Sequence, residues 1–267
     1  MATYLDRILI AHRAAAAVDA RSLDGLFEAA RAVRLPARGF RDALAAASGR
    51  LGGRRLEVAV IAEVKRRSPS KGDLAPDLDA EVLAKAYAAG GAACVSVLTD
   101  AEFFGGSPED LTAARAACGL PVLRKDFTVA EADLCDARLM GADAVLLIVA
   151  ALRAPQLAHY LRVTAELGLD ALVEVHDEAE LEVAIGAGAD LIGVNQRDLV
   201  TFEVDTARAE RVVGAMPAGV VRVAESGIGG PGDAARLADA GFDAVLVGES
   251  LVRAVDPALA TAALRGV

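Results

Sequence analysis

Residues Gly141–Val149 read "GADAVLLIV": a glycine, a polar step through Asp143, and then a run with no polar alternation. Glycine after an amphipathic segment supplies a left-handed helix end, and an uninterrupted Ala/Val/Leu/Ile run is a strand covered on both faces. The phrase returns as "GLDA" at Gly168, "GADL" at Gly188 and "GFDA" at Gly241. Working outward, eight apolar runs appear: Val58–Lys65, Ala93–Thr99, Pro121–Lys125, Asp143–Val149, Asp170–Val175, Asp190–Asn195, Val220–Glu225 and Asp243–Gly248. Helical spacing fills the gaps, as in Asp79–Ala89, Ala130–Met140, Pro155–Leu167 and Glu178–Gly186. Eight strand–helix units predict an α/β chain folded as a (β/α)8 TIM barrel. No G-x-G-x-x-G turn follows a strand, which disfavours an open dinucleotide-binding sheet.

The expected organisation is a single domain over 1–267, with a helical N-terminal extension (1–56) and a barrel (57–267). Tyr4–Ala17 and Leu23–Val33 read as helices, followed by a loop at Arg34–Phe40 and a short helix over Arg41–Ala47. That extension is too small for its own core and is expected to pack over one end of the barrel. The formal net charge of −10 argues against a nucleic-acid partner, which requires a basic face. Cys94, Cys118 and Cys135 lack paired spacing and suit a reducing compartment. His12, His159 and His176 lack ligand spacing, so no metal is expected. The N-terminus lacks a signal-peptide pattern, and the longest apolar run, Ala144–Leu152, is too short to span a bilayer. The expectation is a cytoplasmic protein with no membrane partner.

Barrel chemistry gathers at the C-terminal ends of the strands. Here the first run ends in Glu63 and Lys65, the third in Lys125 and Asp126, and the fifth in Glu174. The sixth ends in Asn195 and Arg197, and the seventh in Glu225 and Ser226. Glu63 and Lys65, two apart, share a face of their strand. The aspartates at the opposite ends (Asp143, Asp170, Asp190, Asp243) read as structural. "AESGIGG" (Ala224–Gly230) and "VGES" (Val247–Ser250) place Gly227 and Gly248 where barrel enzymes hold phosphate. From the residues alone, the chain is expected to bind a small phosphorylated substrate and to use lysine–glutamate acid–base chemistry. Partial burial should draw a lysine pKa down towards neutrality.

The stretches "IAEVKRRSPSKG" (Ile61–Gly72), "SVLTDAEFFGGSPEDL" (Ser96–Leu111), "PVLRKDF" (Pro121–Phe127), "LVEVHDEAELE" (Leu172–Glu182), "IGVNQRDLVTFEVD" (Ile192–Asp205), "AESGI" (Ala224–Ile228) and "VLVGESLV" (Val245–Val252) together resemble the indole-3-glycerol phosphate synthase family of tryptophan biosynthesis. The resemblance runs through essentially the whole chain. It implies a cofactor-free carboxy-lyase that closes 1-(2-carboxyphenylamino)-1-deoxyribulose 5-phosphate to indole-3-glycerol phosphate, with loss of carbon dioxide and water. By motif it implies Lys125 as general acid, Glu174 as base, Lys65 at the substrate carboxylate or in dehydration, and Glu63 as its tuning partner. It implies Asn195 and Arg197 as positioning groups and Glu225 as a further polar contact. It implies Ser68, Ser226, Gly227 and Gly248 at the phosphate, and Phe104 and Phe127 as walls for the aromatic ring. It implies either a monomer or a homodimer. Two departures stand out: Gln196 replaces a common asparagine, and the Glu249 side chain is expected to turn from the phosphate. A phosphoribosylanthranilate isomerase would need a Cys/Asp pair where this chain has Glu63 and Lys65. A Schiff-base aldolase would use a lysine as nucleophile, and a non-catalytic binder would need only the phosphate loops.

Overall fold

The computed structural model describes residues 3–51, 54–55, 57–198 and 203–266. Eight parallel strands close into a barrel in sequence order: β1 (Ala59–Val64), β2 (Cys94–Leu98), β3 (Val122–Lys125), β4 (Ala144–Ile148), β5 (Asp170–Val175), β6 (Leu191–Asn195), β7 (Val221–Glu225) and β8 (Ala244–Val247). Strand β8 pairs back onto β1, Val247 opposite Ala62. Nearly all strand residues are buried, as expected for a sheet filled inside and covered by helices outside. Register fixes the neighbours that matter for chemistry. Asn195 lies opposite Glu225, Gly193 opposite Glu174, and Leu98 opposite Lys125.

The outer layer comprises α4 (Ala80–Ala89), α5 (Ala101–Phe104), α6 (Pro108–Ala117), α7 (Glu131–Met140), α8 (Ala154–Glu166), α9 (Glu178–Ala187), α10 (Thr206–Val213), α11 (Pro231–Ala240), α12 (Glu249–Val252) and α13 (Pro257–Arg265). The caps agree with the recurring Gly-x-Asp phrase. Helices α7 and α9 end on Gly141 and Gly188 with φ of 86° and 90°, a backbone shape that side chains with a Cβ resist. Among the described residues no helix is long and apolar enough to cross a membrane.

The extension forms α1 (Tyr4–Ala17), α2 (Leu23–Ala32) and α3 (Phe40–Ala47), and it reaches both ends of the barrel rather than one. At the strands' C-terminal rim, His12 bonds Asp100 at 2.9 Å and Arg13 donates to the Ala151 carbonyl at 2.8 Å. Helix α2 then follows α7, where Arg21 bridges to Asp136 and Arg138 donates to the Val33 and Leu35 carbonyls. At the opposite end α3 buries Phe40 and Leu44 completely, each worth about 1.5–3 kcal/mol.

That lower end explains the repeated aspartates. Asp143 is fully buried and accepts from the amides of Arg38 and Val122 and from the Arg115 guanidinium, all at 2.8–2.9 Å. Asp170 accepts the Arg41 amide at 3.0 Å, and Asp190 pairs with the Arg41 guanidinium. The strand-bottom carboxylates thus hold the extension in place. Removing one member of a buried pair strands the other charge. We expect Asp143→Ala to lower unfolding free energy by about 3–5 kcal/mol in urea titration. A loss below about 1 kcal/mol would show that the amide bonds and the Arg115 pair carry little.

Candidate active site

Every site residue expected from the sequence lines one cavity of about 580 Å³ at the C-terminal mouth of the barrel. Strand alternation aims Glu63, Glu174, Asn195 and Glu225 inward, and all four are buried. Lys65 pairs with Glu63 at the exit of β1. Across the mouth, Lys125 Nζ lies 3.5 Å from both Glu174 Oε2 and Glu225 Oε2. Asn195 Nδ2 donates to Glu174 Oε1 at 3.2 Å, and its own Oδ1 accepts the Arg197 amide at 3.0 Å.

These charges set one another's proton affinity. Burial would depress Lys125, but the Glu174, Glu225 and Glu63 carboxylates outweigh it and raise its pKa above the ordinary lysine value. The expectation that burial draws this lysine towards neutrality is therefore corrected: three carboxylates oppose it. Glu174 is raised by burial but pulled below its usual range by Lys125, His176 and the Asn195 hydrogen bond. Glu225 behaves oppositely. Burial, reinforced by Glu174 and Glu63, pushes it up to about 8, and its Oε1 has no hydrogen-bond partner among the described residues. Near neutral pH the mouth holds one ionised and one protonated carboxyl flanking a charged lysine.

The remaining residues divide the cavity into two ends. Phe104 and Phe127 stand with ring centroids 6.3 Å apart, and Leu98, Leu146 and Ile148 continue this apolar side. Ser226 and Gly227 follow β7 with φ of 66° and 70°, a sharp left-handed turn that brings backbone to the cavity. Ser226 is the only non-glycine residue of positive φ among those described. Its carbonyl is held by Gln196 Nε2 at 2.7 Å, so the residue that departs from the family pattern supports the turn from behind. Ser68 sits in a two-stranded ribbon, Arg67–Ser68 against Gly72–Asp73, and accepts the Lys71 amide through its hydroxyl oxygen. The Glu249 carboxylate lies 3.9 Å from Arg253, one helical turn on.

Several contributors were not singled out in the sequence. Lys71, Ser250 and Arg253 line the cavity, and Arg253 adds a cation on the glycine-rich side. His176 Nε2 lies 3.5 Å from Glu174 Oε1. A Cβ on Gly193 would overlap the Glu225 carboxylate, and one on Gly248 would overlap Glu63. A glycine inside a strand is itself a signal of close approach, and Gly193 carries that signal.

A family model described as indole-3-glycerol phosphate synthase matches residues 5–264. The chain belongs to that family. An "Indole-3-glycerol phosphate synthase 2" of Streptomyces coelicolor is 55% identical, covering 83% of both chains. An indole-3-glycerol phosphate synthase of Mycolicibacterium vanbaalenii is 50% identical over 98% of this chain and 94% of its own. One of Chlorobium luteolum is 48% identical over 93% of both. Among solved structures, a thiamine phosphate pyrophosphorylase from Pyrococcus furiosus shares the fold (TM-score 0.58, 18% identity, 78% of this chain and 93% of that one).

Gly193 tests the packing of the mouth. We expect Gly193→Ala to lower kcat about a hundredfold, because a displacement of about an ångström in a reacting group costs that much. Far-UV circular dichroism should show the barrel retained, whereas wild-type turnover would mean that Glu225 has room to spare.

Proposed function

We propose that this chain catalyses the reaction of its family: ring closure, decarboxylation and dehydration of 1-(2-carboxyphenylamino)-1-deoxyribulose 5-phosphate to indole-3-glycerol phosphate. The observation that carries the reading is the convergence of Lys65, Lys125, Glu63, Glu174 and Glu225 between an aromatic wall and a glycine-rich turn. The wall suits the aromatic ring, and the backbone at Ser226–Gly227 and Gly248, with Ser68, suits the phosphate.

Ring closure needs an acid at the ribulose carbonyl oxygen as the carboxylate-bearing ring carbon attacks. Lys125 supplies it. Its partners Glu174 and Glu225 hold its proton. A substrate that separates the lysine from them leaves burial to favour release. Lys65, at the other side of the mouth, meets the substrate carboxylate until carbon dioxide departs. Glu174, ionised and held by Asn195, serves as the base. Arg197 helps position the hydroxyl-bearing chain. Glu225 enters protonated and donates to that chain as the hydroxyl leaves as water. A Schiff-base reading is less well supported, because Glu174 and Glu225 hold Lys125 as an ammonium until the proton passes to the carbonyl oxygen, and an ammonium cannot add to a carbonyl.

Formation of indole-3-glycerol phosphate, followed by fluorescence with the purified protein, tests the assignment directly. We expect Lys125→Ala to cut kcat by about 10²–10⁴-fold with KM little changed, since its bond strengthens mainly in the transition state. Near-normal kcat would remove Lys125 as the acid.

The second test uses pH. Glu225 is protonated below its raised pKa, so kcat/KM should fall as pH rises through about 8. The Glu225→Gln profile should lack that inflection. If it persists there, another group sets it.

A further inference from the structure

His176 is two residues beyond Glu174 and does not line the cavity. It is nevertheless built into the site from behind. Glu180, in the first turn of α9, accepts from both the His176 amide (2.8 Å) and the ring Nδ1 (3.0 Å). That pair of hydrogen bonds to one carboxylate oxygen fixes the ring's rotation and places the proton on Nδ1. The other nitrogen, Nε2, then lies 3.5 Å from Glu174 Oε1 and is buried without a hydrogen-bond partner among the described residues. Asn195 donates to the same Glu174 oxygen, and Lys125 approaches the other one.

We infer that His176, anchored by Glu180, is a positioning residue that supplies a positive charge behind Glu174 and keeps it an ionised, oriented base. The inference rests on the reading of Glu174 as the base. A neutral ring held by Glu180 through Nδ1 would turn the Nε2 lone pair towards the Glu174 carboxylate, two acceptors face to face. A proton on Nε2 removes the conflict and sets a positive charge 3.5 Å from Glu174 Oε1. The charged groups around the ring agree. Burial alone would discharge it, but Glu180 from α9 and Glu174 from the end of β5 raise its pKa, and Glu225 from β7 adds to them only once it ionises. Lys125 is the cation on the far side of Glu174. His176 thus offers Glu174 a second positive neighbour that stays when substrate draws Lys125 away.

The chain has three histidines, so ring titrations by NMR on the whole protein are resolvable. We expect His176 to titrate above the ordinary histidine value and to drop by about one pH unit or more in Glu174→Gln and in Glu180→Gln. A His176 titration unmoved by Glu174→Gln overturns the coupling. In turnover, His176→Gln should move the acid limb of the kcat/KM profile up by about one pH unit, with KM within about twofold of wild type. A lower kcat with the limb in place would mean a purely structural role and would also overturn the inference. Should His176→Gln fail to fold, Glu180→Gln is read instead. Its limb should move the same way by less, and an unmoved limb counts against the proposal. The base reading fails separately: if Glu174→Gln keeps turnover, Glu174 is not the base, whatever the NMR coupling shows.

Discussion

Three glutamates, Glu63, Glu174 and Glu225, are buried together in the mouth of the barrel, and the rest of the site answers to that constraint. Like charges so close in a low dielectric cannot all ionise without cations among them. Lys65 answers Glu63, and Lys125 stands between Glu174 and Glu225 at equal distance from each. At Glu225, burial, with Glu174 and Glu63 beside it, outweighs Lys125 and leaves that carboxyl protonated near neutral pH. The neighbours of Glu174 decide which carboxyl keeps its proton. Asn195 and His176 both face its Oε1, whereas Glu225 Oε1 meets the empty space that Gly193 leaves. A protonated and an ionised carboxyl are thus separated on one chemical type by what stands behind each.

The same chain uses aspartate and glutamate for opposite ends. At the bottom, the shorter side chain of Asp143 reaches only backbone amides and one guanidinium, so every oxygen is spoken for and the charge is inert. At the top, the longer glutamates reach the barrel axis, where a ligand can replace one of their partners. The extension exploits the first arrangement, docking its own amides at Arg38 and Arg41 on strand-bottom carboxylates.

Much of this was legible in the sequence because strand period and barrel topology are strong rules. Once Glu63, Lys65, Lys125, Glu174, Asn195 and Glu225 were placed at strand ends, closure of the barrel had to gather them. The illegible parts are those in which a residue's partner lies far away in the chain. The extension's reach to both ends depends on Arg38 meeting Asp143 and His12 meeting Asp100, contacts that no local pattern announces. The charge state of Lys125 was misjudged for the same reason: burial is a property of one residue, but its three opposing carboxylates come from three strands. In the sequence His176 reads only as a histidine without metal-ligand spacing. Its offset of two from Glu174 was visible, but its meaning depended on Glu180, which reads in sequence as an ordinary acidic group at a helix start.

The glycines at 193 and 248 show how far packing rather than chemistry defines the site. Neither can donate a proton, yet each leaves the room that a buried carboxylate occupies. A side chain at Gly248 would press on both Glu63 and Lys65. The glycine-rich turn after β8 and the Glu63–Lys65 pair are thus mechanically one unit at this point. A glycine read as a ligand contact is equally a spacer for a buried carboxylate. The close approach of β8 to β1 makes both functions depend on the same missing Cβ.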